Sequence, residues 1–441
     1  MEAPELTPAP SEWHPFIGGA ARTVKLWLAA VLAGLLGAAA TQGFRTLIKA
    51  VEWLATGHMG GLVAAAESIT PLHRALLGAF GGLGAGLVLH WGLRWAARGP
   101  DGAEHVDYIE AAREGHYLLN DRTTLVRSIS ALLSVGTGAS IGKEGPMVQL
   151  SAWFASWQAR FLPLTDDERN AILVCGIASG IGCAYHAPIA GVVFVLELAL
   201  GFFARHTIAP VLIAAGTSSA LIYWLVEPQP LYVMPTVALV PTSLGVAIAA
   251  GVISGGLGWA FIEMLERARK IFGRIDSLPF RLGLGGVIAG LIAAAVPDVW
   301  GNGYSVVSEV LQGNVAWHWV AVIMGAKVLA TVISSGSGAI GGVFTPTLFV
   351  GATSGFLTAH LASSWFGAAL VGDPRVLAVI GMAAVLAAVT HAPLMSIVMV
   401  LEMTNQFQLT VPVMLACGVA YAISTQFGAR PIYGNPIEAH R

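Results

Sequence analysis

Residues 176–197 read GIASGIGCAYHAPIAGVVFVLE, and residues 381–402 read GMAAVLAAVTHAPLMSIVMVLE. Aligned without a gap, His186 falls on His391 and nine positions are identical. Upstream, GTGASIGKEGP from Gly136 to Pro146 lies over GSGAIGGVFTP from Gly336 to Pro346, with three glycines, an alanine and the proline repeated. Two motifs in the same order mark an internal duplication, because shared Gly- and Ala-rich composition alone does not preserve order. The expected organisation is a polar tail over 1–22, a first membrane repeat over 23–226, a second over 227–429, and a closing segment over 430–441 that carries Tyr433.

The composition says where such a chain resides. Of 441 residues, 56% are hydrophobic and only 11% are charged, with 23 Lys+Arg and 25 Asp+Glu. A water-soluble surface ordinarily carries about 25% charged residues, so much of this exterior must face lipid. The expected fold is an all-α polytopic membrane protein. A net charge of −2 without a basic run excludes a nucleic-acid reader driven by counterion release. Cys175, Cys183 and Cys417 form no CxxC pair, so neither a disulfide framework nor a zinc site is expected. The first 22 residues lack the basic-then-apolar order of a cleaved signal.

Many apolar runs are too short to span. A simple crossing helix needs about 20 apolar residues, whereas runs near 127–141, 168–183, 188–203 and 393–403 are cut by glycine and proline. Helices that stop at mid-membrane must expose their ends to a protein-enclosed cavity. In duplicated transporters the repeats are commonly inverted about an axis in the membrane plane, which brings the broken tips together. Pro146 and Pro346 suit the first turn of a helix, where a missing N–H is no loss, and the residues before them offer free amides. Converging amide-bearing tips hold an anion by fractional charge, without the trapping expected of a full ammonium or guanidinium in a dry site. One such break read alone is a packing kink; a pair in equivalent positions is a site.

Glu144 places a carboxylate at one of these tips, inside an apolar region where ionisable groups are usually functional. Ionised, it can occupy the anion's place on the helix N-terminus; protonated, it leaves that place open. The bland reading is a capping carboxylate. Lys143 is expected to pair with an acid or reach an interface, and His186 and His391, before Ala-Pro in both repeats, to shape helix entry.

Through GKEGP at 142–146, GGVFTP at 341–346, HAPIAGVVFVLE, HAPLMSIVMVLEMT and Tyr433, the chain resembles the CLC family of chloride channels and chloride/proton exchangers. The resemblance implies that Glu144 is the external gating glutamate, that the Val343 and Phe344 amides bind the central chloride, and that the Tyr433 hydroxyl donates to it. It also implies a homodimer with one pathway per subunit, in the cell membrane (the inner membrane in a Gram-negative cell), with no nucleotide-binding domain after Tyr433. Two departures stand out. Where the family commonly has Gly-Ser-Gly-Ile-Pro, this chain has Gly102-Ala103-Glu104-His105-Val106, so Ala103 offers at most a backbone amide to the anion. Where exchangers commonly carry a second glutamate, Glu197 is followed by Leu198, which cannot carry a proton. Glu197 is therefore read as a hydrogen-bonding residue before a relay.

The function expected is chloride transport gated by Glu144, with the mode open between channel-like or weakly coupled conduction and strict chloride/proton antiport. No enzyme activity, cofactor or metal is expected. A remote alternative of another class is an intramembrane serine protease using Ser140 with His186 or His391, although Ile141 follows the serine where rhomboid-type sites have glycine. Gly336 to Gly341 spells GxGxxG without a βαβ unit, and Gly142-Lys143 is followed by Glu144 rather than Ser or Thr, so neither binds a nucleotide.

Overall fold

Helix punctuation in this sequence comes from proline and from residues that stop a helix just before it. In the computed structural model, which describes residues 20–99, 106–199, 205–225, 229–237 and 243–433, proline opens five helices within their first two positions. The first half contains α1 (Ala20–Thr56), α2 (Leu62–Ser68), α3 (Pro71–Ala96), α4 (Tyr108–Glu114), α5 (Asp121–Gly136), α6 (Glu144–Ala159), α7 (Asp166–Tyr185), α8 (Pro188–Phe194) and α9 (Arg205–Leu225). The second contains α10 (Ser243–Phe272), α11 (Leu278–Ala295), α12 (Tyr304–Gln312), α13 (Trp317–Gly336), α14 (Phe344–Phe366), α15 (Ala368–Val371), α16 (Pro374–Thr390), α17 (Pro393–Thr404) and α18 (Thr410–Gln426). The described residues are helical without a single β-strand, and the two halves form inverted repeats with broken helices.

Seven described helices are long and apolar enough to cross a membrane: those within α1, α3, α9, α10, α11 and α13, and the one ending in α18. Shorter apolar helices at Pro188–Ala199, Pro374–Thr390 and Pro393–Thr404 do not reach that length. Large apolar side chains on the outside, among them Leu54, Phe80, Trp91, Trp224, Phe280 and Trp365, suit contact with lipid. The protein is multi-pass.

The centre is built from α7 and α16, which are buried nearly all round from Ala171 to Tyr185 and from Val376 to Thr390. A helix apolar on every face belongs in a core. Both end in the same way: His186 (φ 54°) and His391 (φ 56°) adopt the left-handed conformation, and Ala187 and Ala392 follow in non-helical geometry imposed by the next proline. The repeated His-Ala-Pro is thus a stop-and-restart signal.

The expected tail over 1–22 lies outside the described residues up to 19, and α1 already begins at Ala20. Short α2, α4, α12 and α15 escape a reading based on apolar runs, because each is a brief helix between longer ones.

The two halves meet where α3 crosses α11 on glycine. A Cβ added to Gly78 would lie 2.6 Å from the Gly286 carbonyl oxygen and 3.0 Å from the Gly290 Cα. Small residues allow backbones this close in a membrane, where packing replaces the hydrophobic drive. Gly78→Leu is expected to destabilise the fold by about 1–3 kcal/mol, whereas Gly216→Ala, with nothing within 4 Å of an added Cβ, is neutral or stabilising. Thermal unfolding in detergent checks both.

Candidate functional site

The break between α5 and α6 and its counterpart between α13 and α14 both turn at a glycine of positive φ, Gly138 (101°) and Gly338 (91°). Each non-helical stretch leaves backbone groups without helical partners deep in the protein. They are satisfied across the repeat boundary: the Gly142 N–H donates to the Gly342 carbonyl at 2.7 Å, and the Gly342 N–H donates to the Gly142 carbonyl at 2.8 Å. Non-helical backbone at membrane depth requires such protein partners. The approach leaves little room, since a Cβ on Gly145 would stand 3.2 Å from the Gly342 nitrogen.

This bridge sets two helix starts side by side. α6 begins at Glu144 and α14 at Phe344, and each has proline at its third position, Pro146 and Pro346. The first amides of each helix lack intrahelical acceptors and carry the positive end of its dipole, about half an elementary charge per helix. A cavity of about 810 Å³ is lined by Gly145, Gly341, Gly342, Val343 and Tyr433, among others. Tyr433 is held there by the Ile432 N–H, which donates to the Val389 carbonyl at 3.2 Å, and by Phe194, whose ring packs edge-on at 6.2 Å. The Phe344 ring packs instead on Tyr185, at 5.0 Å. Arg113, Arg127, Arg269 and Arg281 also line the cavity, against three carboxylates, Asp107, Glu110 and Glu114, so the charge along its wall favours an anion.

Structure thus gathers Glu144, Val343, Phe344 and Tyr433. Ala103 lies outside the described residues. Four positions on, Asp107 caps α4 by accepting from the Ile109 N–H at 2.9 Å, and the Tyr108 N–H donates to Gln149 Oε1 at 3.3 Å; all four residues border the cavity.

Glu144 is 5% exposed. Its Oε1 accepts from Asn302 Nδ2 at 2.6 Å, while Oε2 has no hydrogen-bond partner. Arg45, Lys143 and Lys327 all stand within electrostatic reach of it. Basic side chains therefore surround the Glu144 carboxylate as well as amides. Arg45 directs Nη2 towards the Cys183 and Ala184 carbonyls at the end of α7, at 3.4 and 3.5 Å, and fully buried Lys327 donates to Val299 and Gly301 carbonyls at 2.8 and 2.6 Å.

Glu197 is elsewhere. It lies in a π-helical turn after α8, and its oxygens accept from Leu394 N–H at 3.2 Å and Met395 N–H at 2.6 Å, at the start of α17. Glu402 on α17 returns the arrangement, accepting from Ile189 N–H at 3.1 Å and Ala190 N–H at 2.7 Å at the start of α8. The repeats cap each other's helices with negative charge where the dipoles favour it. Leu198 is buried, and its carbonyl accepts from Arg113 Nε at 2.8 Å.

The protease constellation is not assembled. Ser140 Oγ pairs with Thr331 Oγ1 at 3.1 Å, while His186 faces the Gln229 carbonyl and His391 faces Ser424. Among the described residues no histidine reaches the serine to act as its base.

Inverted repeats with amide-bearing tips around a buried carboxylate define a membrane protein of the ion-transport class. The chain belongs to the family described as voltage gated chloride channel, which matches residues 81–425. The putative chloride channel protein ClcB-like of Ralstonia nicotianae is 43% identical over 422 residues, covering 93% of this chain and 96% of that one. The voltage-gated ClC-type chloride channel ClcB of Salmonella typhimurium is 36% identical over 422 residues, covering 94% and 99%. Among solved structures, a slow cyanobacterial Cl−/H+ antiporter superposes with a TM-score of 0.80 at 23% identity, covering 93% of this chain and 96% of that one. A CLC-type fluoride/proton antiporter gives 0.75 at 22%, covering 92% and 97%. At those identities the likeness establishes the fold.

Sequence reasoning passed over Arg45, Asn302 and Lys327. Lys327 carried a readable signal, an ammonium inside the apolar run 317–333; Asn302, in a Gly-rich loop, carried none. Replacing Glu197 or Glu402 by Ala is expected to cost about 1 kcal/mol each through the lost cap. Thermal unfolding of the two single variants and the double variant measures this, and equal losses would reflect the reciprocal geometry.

Proposed function

We propose that this protein conducts chloride across the cell membrane, with the ion resting on the amides at the starts of α6 and α14 and Glu144 competing for that place. The observation that carries this reading is the Gly142–Gly342 bridge, which fixes two helix N-termini beside one cavity. The relatives named as chloride channels support the choice of ion. In this reading Val343 and Phe344 supply amides, and the Tyr433 hydroxyl donates from the opposite side. Ala103 contributes no hydroxyl, so amide donors and Tyr433 carry the binding.

Glu144 acts as a tethered anion. It stands at a helix N-terminus and near Arg45, Lys143 and Lys327, groups that attract a negative charge. Protonation removes the charge that holds it there and yields the place to chloride. Glu197, with both oxygens engaged by α17, is a helix cap in this scheme. With Leu198 beside it and no proton carrier there, conduction is channel-like or weakly coupled. The second reading, full chloride/proton exchange, is favoured by Asp107, a carboxylate bordering the same cavity as Tyr433. The protein works as a homodimer with a pathway in each subunit, and as a transporter it transforms no substrate and needs no cofactor.

Glu144→Gln in liposomes is expected to keep or raise chloride flux and to remove its pH dependence; persistent pH-gated flux would refute the gate. Tyr433→Phe should weaken chloride binding modestly, about 2- to 10-fold for one lost hydrogen bond, as read by isothermal titration. The reversal potential under imposed chloride and proton gradients separates the two modes. A potential that ignores the proton gradient means a channel; one that follows it means exchange.

A further inference from the structure

The loop joining α11 to α12 crosses from the second repeat to the carboxylate of the first. Its Asn302 sends Nδ2 to Glu144 Oε1 at 2.6 Å. The other end of the same amide is already committed, because Asn302 Oδ1 accepts from the Tyr304 N–H at 3.1 Å at the start of α12. An amide whose oxygen is used in this way has only its N–H2 to offer the carboxylate.

The loop around Asn302 is fixed on every side. Lys327 Nζ binds the carbonyls of Val299 and Gly301, on either side of Trp300. Trp300 itself is 1% exposed and lies against Gly138, the turn before α6. Gly301 (φ 67°) and Gly303 (φ 90°) supply the left-handed turns, and a Cβ on Gly303 would come within 2.8 Å of the Phe349 ring. The Tyr304 hydroxyl donates to the Leu231 carbonyl at 2.9 Å. The donor therefore waits in position before Glu144 arrives.

We propose that Asn302 is a positioning residue for the gate, a neutral clamp that holds Glu144 seated in its ionised form and so sets the proton concentration at which the path opens. This rests on the reading of Glu144 as the gate. A hydrogen bond to an ionised carboxylate is roughly twice as strong as one to the neutral acid, so the clamp favours the seated, charged state and lets go on protonation. Being neutral, it opposes the carboxylate without adding a cation that would hold chloride. The charged and titratable groups facing Glu144 are Arg45 from α1, Lys143 before α6, Tyr185 from α7, Tyr232, Lys327 from α13 and Tyr433. All of them stay in place when Asn302 alone is changed, so a shift in the pH profile reports the clamp.

The test is chloride efflux from liposomes as a function of pH, for the unaltered protein, Asn302→Ala, Asn302→Asp, Glu144→Gln and the double variant Asn302→Ala/Glu144→Gln. Asn302→Asp is isosteric and keeps an oxygen for the Tyr304 N–H, so it preserves the loop while replacing the donor by a second carboxylate oxygen. Asn302→Ala is expected to move the activation midpoint to higher pH by about one unit, the scale of a charge-assisted hydrogen bond, and Asn302→Asp by at least as much. The double variant should match Glu144→Gln. If Glu144→Gln abolishes pH dependence while Asn302→Asp leaves the midpoint unchanged or moves it to lower pH, the clamp is refuted and the gate stands. If Glu144→Gln keeps its pH dependence, the gate itself is refuted and the clamp with it.

Discussion

Two backbone hydrogen bonds between Gly142 and Gly342 join the repeats at the point where four helices stop short. In hydrocarbon an unpaired peptide group costs several kcal/mol, so helix ends at mid-membrane persist only if protein groups meet them. Each repeat supplies the partner the other needs. Once those carbonyls and amides are paired, the next amides along each chain, at the starts of α6 and α14, lack intrahelical acceptors.

The same reciprocity recurs in the charged side chains. Glu197 caps α17 and Glu402 caps α8, so each carboxylate in the apolar interior is answered by the N-terminus of the other repeat. Lys327 and Arg45 bind carbonyls, and Lys327 thereby fixes the loop that carries Asn302. Glu144 is different: one of its oxygens has a partner and the other has none. A fully satisfied carboxylate is fixed by its partners, whereas a half-satisfied one is held by fewer. This contrast separates Glu144 from Glu197 more sharply than burial or neighbourhood.

The basic side chains near Glu144 are likewise answered by backbone. Lys327 spends two donors on carbonyls, and Arg45 is directed at two more, so neither presents a free ammonium or guanidinium beside the carboxylate.

Duplication, helix starts at Gly-rich tips, the helix boundaries at His186 and His391, and the placement of Glu144 at a tip were all legible in the sequence, because each leaves a mark in residue type: proline at a helix start, glycine at a break, an acid in an apolar run. What answers each of these groups was decided only by the tertiary structure. Asn302 lies 158 positions from Glu144, and Glu197 finds its partners 197 and 198 positions away. Most of those partners are main-chain amides and carbonyls, which are chemically alike at every residue and so leave no trace in the order of side chains. The fold alone determines which of them are paired and which are left over.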